Sequence, residues 1–239
     1  MKLDEDYTLL LLSNFTHQVI NPLNGVMGSL DNILDGHVPA DRVTIRLRGI
    51  RGQLETTVSL IRNLAFFVQY TANYAAVKHD KMEKVCVLPQ VIIEAASFYQ
   101  EQGKLRGMAI ELRNRTVQNA VRGNPDILRQ VLMNIFDNCV KYGLNGSMIE
   151  VNDWIQKNSN DVIITISGES VGFTSEEDIF GLGVRGKEAK KVLASGTGLG
   201  LHVCKLIVEN VFGGKISAQH VARTKITTFE IRLPGGFIQ

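Results

Sequence analysis

Apolar residues near the start of the chain fall at Leu12, Phe15, Val19, Leu23, Val26, Leu30 and Ile33, in steps of three and four. That spacing keeps one stripe on the face of a long helix, in the manner of a coiled coil. The segment Asp35-Gly36-His37-Val38-Pro39 interrupts the pattern with a glycine and a proline, so the first helix ends there. A second stripe follows at Leu47, Ile50, Leu54, Val58, Ile61, Leu64 and Val68. Two long amphipathic helices joined by a short turn make a hairpin, and a lone hairpin cannot bury both stripes. The pattern therefore predicts a four-helix bundle completed by a second copy.

Beyond about Ala76 the pattern changes. Lys78 to Lys81 is polar and reads as a linker. A short β piece (Val85 to Leu88), a helix from Pro89, a strand at Met108 to Leu112 and a helix from Pro125 to Tyr142 are expected next. Ser147 to Trp154 and Asp161 to Ser167 alternate apolar and polar residues, a hairpin signal. After the glycine-rich stretch Gly181 to Gly200 come a helix to about Val211 and two strands, Lys215 to His220 and Thr227 to Leu233. Strands and helices mix without strict alternation, which predicts an α+β arrangement: a two-layer sandwich whose mixed, mainly antiparallel sheet carries helices on one face. The division expected is residues 1–78 for the hairpin and 84–239 for the sandwich.

Composition narrows the function classes only a little. The 239 residues include 26 Lys and Arg against 24 Asp and Glu, a balance that points to no nucleic-acid partner. No apolar run approaches the roughly 18 residues of a membrane span, so no membrane contact is expected from this chain. Cys86, Cys139 and Cys204 stand far apart, as core-filling thiols of a reducing compartment do.

Three motifs could carry chemistry. In Phe15 to Leu23, "FTHQVINPL", a histidine, His17, sits beside the first stripe with Pro22 five residues on; alone it reads as a helix histidine near a bend. In "NIFDNCVKYG", Asn134 and Asn138 share one helical face with Lys141 a turn further on. That face could hold hydrated Mg²⁺ and phosphate oxygens, or could simply be solvated. In "GTGLGL", Gly196 to Leu201, glycines precede a helix, where backbone N–H groups can approach phosphates; a surface loop would read the same way.

Taken together and in this order, the three motifs resemble the transmitter core of sensor histidine kinases, over about Asp6 to Pro234. They are similar to that family's histidine box, asparagine box and second glycine box, with "DIFGLGVRG" resembling the phenylalanine motif beside its lid. The resemblance implies a dimerisation and phosphotransfer hairpin followed by an ATP-binding sandwich. It implies further that His17 accepts the γ-phosphoryl group of ATP, and that Asn138, with Asn134, holds Mg²⁺. Lys141, Tyr142, Gly172, Gly196, Gly198, Gly200 and Thr227 would contact the nucleotide. The implied partners are a second copy and the receiver domain of a response regulator. The implied location is cytoplasmic, as the inner part of a longer membrane-bound receptor. Two departures stand out. Gly168 occupies the place of the aspartate that accepts a hydrogen bond from adenine. Gln18 follows the histidine where most relatives place a carboxylate general base, while Asn21 keeps the residue type associated with dephosphorylation of the regulator. The alternative implied by these departures is a pseudokinase, a dimeric regulatory module with weak or no ATP binding.

Overall fold

The computed structural model describes residues 5–72, 84–114, 116–192 and 198–239, with the side chains of residues 5–15, 18, 55, 56 and 69–72 outside that description. The linker expected at 78–81 and Gly196 also lie outside the described residues.

Helix α1 (Glu5–Leu34) runs helical through Pro22. Backbone bonds from Gly36 N to Ile33 O and from His37 N to Asn32 O turn the chain, and α2 (Ala40–Ala72) returns alongside it. The turn falls where the Gly and Pro predicted it. Within the hairpin Val26 and Ile50 are buried, whereas Leu30, Leu47, Leu54, Val58, Ile61 and Val68 stay exposed. One chain thus leaves most of the apolar stripe in water.

The sandwich begins with β1 (Val85–Val87), α3 (Leu88–Leu105), β2 (Ala109–Leu112), β3 (Asn119–Arg122) and α4 (Pro125–Tyr142). It continues with β4 (Met148–Ile155), β5 (Val162–Glu169), α5 (Lys187–Val192) and α6 (Gly200–Leu206), which passes into a π turn over Ile207–Val211. Strands β6 (Lys215–Val221), β7 (Ile226–Leu233) and β8 (Phe237–Ile238) complete it. Five strands form the main sheet in the order β2-β4-β5-β7-β6. Only β2 and β4 pair in parallel; the other neighbours are antiparallel. A small second sheet has the order β1-β3-β8. The mixed, mainly antiparallel sheet is the one the alternation predicted.

Helix α4 shows how the sequence builds the scaffold of the site. Asn124 caps it, its side chain accepting a bond from Asp126 N at 2.9 Å, with Pro125 in the first turn, a position where proline loses no helical bond. Leu128, Val131, Leu132, Ile135 and Phe136 are fully buried against the sheet, at the helical period. They meet Ile149 and Val151 of β4 and Ile164 and Ile166 of β5 in one apolar core. Burying a side chain of this size stabilises by roughly 1.5–3 kcal/mol, so the polar face of α4 is firmly aimed away from the sheet. No helix among the described residues is long and apolar enough to cross a membrane.

Candidate functional site

A cavity of about 390 Å³ lies between the hairpin and the sandwich. Asn21 and Pro22 of α1 and Ser59, Leu60 and Asn63 of α2 form one wall. The polar face of α4, the end of β5 with the loop after it, the glycines before α6, and Thr227 of β7 form the rest.

On α4, the Asn138 side chain donates through Nδ2 to Asn134 O at 2.7 Å. Its nitrogen is thereby committed to its own helix, and Oδ1 is the atom a cation would use. Lys141 Nζ donates to Asp137 Oδ2 at 2.5 Å, one turn back. Asn134 is engaged elsewhere. Its Nδ2 donates to Asn63 Oδ1 at 2.8 Å and its Oδ1 accepts from Asn63 Nδ2 at 2.8 Å. Gln130 Nε2 donates to Asn63 Oδ1 at 3.0 Å, and Asn134 Nδ2 also reaches Gly200 O at 3.2 Å. A buried amide cluster therefore joins the hairpin to the sandwich. Among the described residues no three His, Cys, Asp or Glu side chains gather as a metal centre. A divalent ion here would rest on carboxamide and substrate oxygens, which suits Mg²⁺, an ion that keeps several waters.

At the other end, Gly168 on β5 pairs with Thr227 on β7. A side chain at Gly168 would begin 3.2 Å from Met148 O on β4. The register runs on through Glu169 and Ile226 without a bulge, so Glu169 stays on the opposite face from Gly168. Hydroxyls occupy this end instead. Thr227 Oγ1 lies 2.6 Å from Ser170 Oγ and 2.9 Å from His220 Nδ1, and Gly172 N donates to Ser170 Oγ at 3.3 Å. Gly172 has φ +75°, and a Cβ there would fall into the His220 ring. Glycine is required at this position by the imidazole as well as by the turn.

Gly198 (φ +64°) packs so closely on the 181–184 loop that a Cβ would lie 2.5 Å from the Gly183 carbonyl carbon. That loop carries Phe180, whose carbonyl accepts a bond from His202 Nδ1 at 3.0 Å. His202 Nε2 is buried without a hydrogen-bond partner, and its ring meets Phe67 of α2 edge-on at 6.1 Å. Burial pushes the His202 imidazole below the ordinary histidine value, against a smaller upward pull from the Phe180 carbonyl. Glu177 orders the same loop, accepting from Thr174 N at 3.1 Å and Lys187 N at 2.8 Å. These bonds hold its carboxyl below the usual range. The thiol of Cys139, on the cavity wall, is pushed up to about 12 by burial and then by Asp137. Cys86 and Cys204 are buried, with thiols also raised to about 12.

Of the residues singled out from sequence, Asn21, Asn134, Asn138, Lys141, Tyr142, Gly172, Gly198, Gly200 and Thr227 all line this one cavity. His17 is exposed on α1, a turn before Asn21, and does not itself line it. The Gln18 side chain lies outside the described residues. Sequence reasoning missed Asn63, Asp137, Ser170 and His220. The available signal for Asn63 was the row Ser59, Asn63, Phe67, in steps of four on α2.

Residues 123–236 match the family model of the histidine kinase-, DNA gyrase B- and HSP90-like ATPases. The sensor protein KdpD of Clostridium acetobutylicum is 27% identical over 216 residues, covering 87% of this chain and 23% of that protein. This chain spans well under half the length of the curated relatives it matches. The fold is similar to that of the Acinetobacter baumannii histidine kinase AdeS, with a TM-score of 0.60 at 19% identity, covering 91% of this chain and 97% of AdeS. It is also similar to the histidine kinase ThkA, solved in complex with the response regulator TrrA, with a TM-score of 0.58 at 17% identity, covering 96% of this chain and 63% of that one.

Proposed function

We propose that this chain is a sensor histidine kinase catalytic core, as its matches support, and that it transfers the γ-phosphoryl group of ATP to His17 and then to an aspartate on a response-regulator receiver domain. The observation that carries this reading is the shared cavity: Asn21 and Pro22, one turn from His17, wall the same space as Asn138, Gly198 and Gly200. A relative of the same fold in complex with a response regulator supports the second acceptor. The exposed stripe of Leu47, Leu54, Val58 and Ile61 supports a homodimer that covers it with a second copy.

In the transfer, a lone pair on the His17 imidazole forms the N–P bond as the bond from the γ-phosphorus to the ADP oxygen breaks. The proton on the other ring nitrogen then has to leave. Gln18 cannot accept it at neutral pH, but His17 is exposed, so water can. Losing a carboxylate base slows such a step by up to about 10²–10⁴-fold without forbidding it. Asn138 Oδ1 would hold Mg²⁺, with Asn134 kept behind it by Asn63; bound Mg²⁺ supplies neutralisation of phosphate charge. In this reading the Gly198 and Gly200 backbone would face the phosphates and Thr227 the base, with Lys141 and Tyr142 lining the same cavity.

Incubation with γ-labelled ATP tests the reading. Acid-labile, base-stable label on the wild type and none on His17→Gln is expected; label persisting on His17→Gln overturns the assignment. One observation favours a second reading. Gly168 offers no carboxylate at the strand position that pairs with Thr227, as in a regulatory module that does not bind ATP in the usual way. Calorimetry showing no ATP binding at any Mg²⁺ concentration would select it.

A further inference from the structure

Helix α2 carries two opposed faces. Ser59, Asn63 and Phe67 are buried in a row against the sandwich (6%, 4% and 6% exposed), whereas Leu54, Val58, Ile61 and Val68 are all at least 40% exposed. At about 100° per residue the row sits roughly 180° around the helix from the stripe. Helix α1 repeats the arrangement. His17 does not sit beside the stripe as first read: by the same count it and Asn21 lie roughly 180° from Val19, Leu23, Val26 and Leu30. A second copy laid on the stripes therefore leaves the other faces of both helices to this chain's own sandwich.

That docking is specific. Asn63 exchanges two 2.8 Å hydrogen bonds with Asn134 and accepts a third from Gln130. Such a cluster, buried and reciprocally paired, favours one register, because each broken amide bond leaves a buried polar group unpaired. Phe67 against His202 fixes the same helix one turn further on. The docked position puts Asn21 and Pro22 of the same chain into the cavity, beside Ser59 and Asn63 and next to the Gly198 and Gly200 end.

We infer that Asn63 is a positioning residue for phosphoryl transfer within one chain: by pairing with Asn134 it holds the nucleotide cavity against its own α1, so that His17 receives its phosphoryl group in cis. This rests on the kinase reading above. Asn63 touches neither the acceptor nor the phosphates; it acts through Asn134 and the placement of α2.

Heterodimers carrying two purification tags test the direction of transfer. A wild-type chain paired with a His17→Gln/Asn138→Ala chain should label on the wild-type chain. A His17→Gln chain paired with an Asn138→Ala chain should stay unlabelled. Label on the Asn138→Ala chain, with none on wild type in the first pair, would show transfer between chains and overturn the inference. No label on the wild-type homodimer would instead remove the kinase reading itself. Asn63→Leu tests the positioning role. At saturating ATP its autophosphorylation should fall roughly tenfold or more, as misplacement by an ångström does, while its ATP affinity stays within about twofold of wild type. A fall in affinity with an unchanged saturated rate, or a rate that rises, would overturn the role of Asn63.

Discussion

Gly168→Asp would put a carboxylate back at the base end of the cavity, and the structure separates its two consequences. The residue pairs with Thr227 in the middle of a regular antiparallel register, on the cavity wall, so an aspartate there faces the space a base would fill. Its Cβ would lie 3.2 Å from Met148 O and 3.5 Å from Ile149 Cγ1, so β4 must yield by a few tenths of an ångström. Overpacking of this kind costs about 1–3 kcal/mol. The strain is present with and without nucleotide, so it cancels from binding and shows up in folding, as a Tm lower by roughly 2–4 °C per kcal/mol. The gain is confined to the bound state. A charged acceptor for an exocyclic amino group contributes about 1.5–3 kcal/mol, or roughly ten- to hundredfold in affinity.

Calorimetry with ATP and GTP, paired with thermal melts, reads both effects at once. The wild type should bind ATP weakly with little preference over GTP, because Gly168 offers no side-chain acceptor and the hydroxyls of Ser170 and Thr227 beside it are bonded to each other. Gly168→Asp should tighten ATP by roughly ten- to hundredfold, leave GTP unchanged and lower the Tm. Equal tightening of both nucleotides, or an unchanged ATP affinity in a variant that still melts cooperatively, would refute the reasoning. Strong adenine selectivity in the wild type would also refute it.

Leu54→Asp should abolish dimerisation in light scattering while the monomer melts normally, since Leu54 is 40% exposed in the single chain and a charge there meets water unless a second copy covers it. Thr227→Val removes the bonds to Ser170 and His220 and should destabilise by about 1–3 kcal/mol in denaturant unfolding, with a further loss of nucleotide affinity. His202 titrates below the ordinary value of 6.5 because it is buried, so the unfolded chain binds its proton more readily. Its contribution to stability is present above pH 6.5 and is lost as the pH falls below that value towards the depressed folded one. The Tm difference between wild type and His202→Phe should therefore shrink, or change sign against the wild type, between pH 7.5 and 5.5; a difference independent of pH would dismiss this account.

The long helices, α4 and the central strands were legible because each buries an apolar face with a fixed period, and the period is written in the order of residues. Strands β3 and β8 were not: four residues of Asn119–Arg122 and two of Phe237–Ile238 are too short to display alternation, and the pairing of β3 with β1 and of β8 with β3 is decided by tertiary contact. The polar side of the site failed differently. Asn134 read as a member of a solvated or ion-holding face, yet it is buried against Asn63, 71 residues away in sequence, and nothing local to either residue says so. Gly172 read as a nucleotide contact from the motif alone, and nothing in the motif announced that its missing side chain also makes room for His220.

Patterning by hydrophobicity treats a helix as having one buried face, and α2 has two. The apolar face stays largely exposed in the single chain. The face of Ser59 and Asn63 is polar by composition yet buried in the structure, where Asn134 and Gln130 supply hydrogen-bond partners for Asn63. A periodicity argument scores such residues as solvent-facing, since the compensation is carried by another element. The rule that buried amides must be paired turns this around: a helix already committed to a bundle by one stripe, with small polar residues at four-residue steps on its opposite side, is a helix with a second, specific docking partner. In this chain that partner is the helix bearing Asn138, and the pairing sets α2 against the wall of the cavity that Asn138 lines.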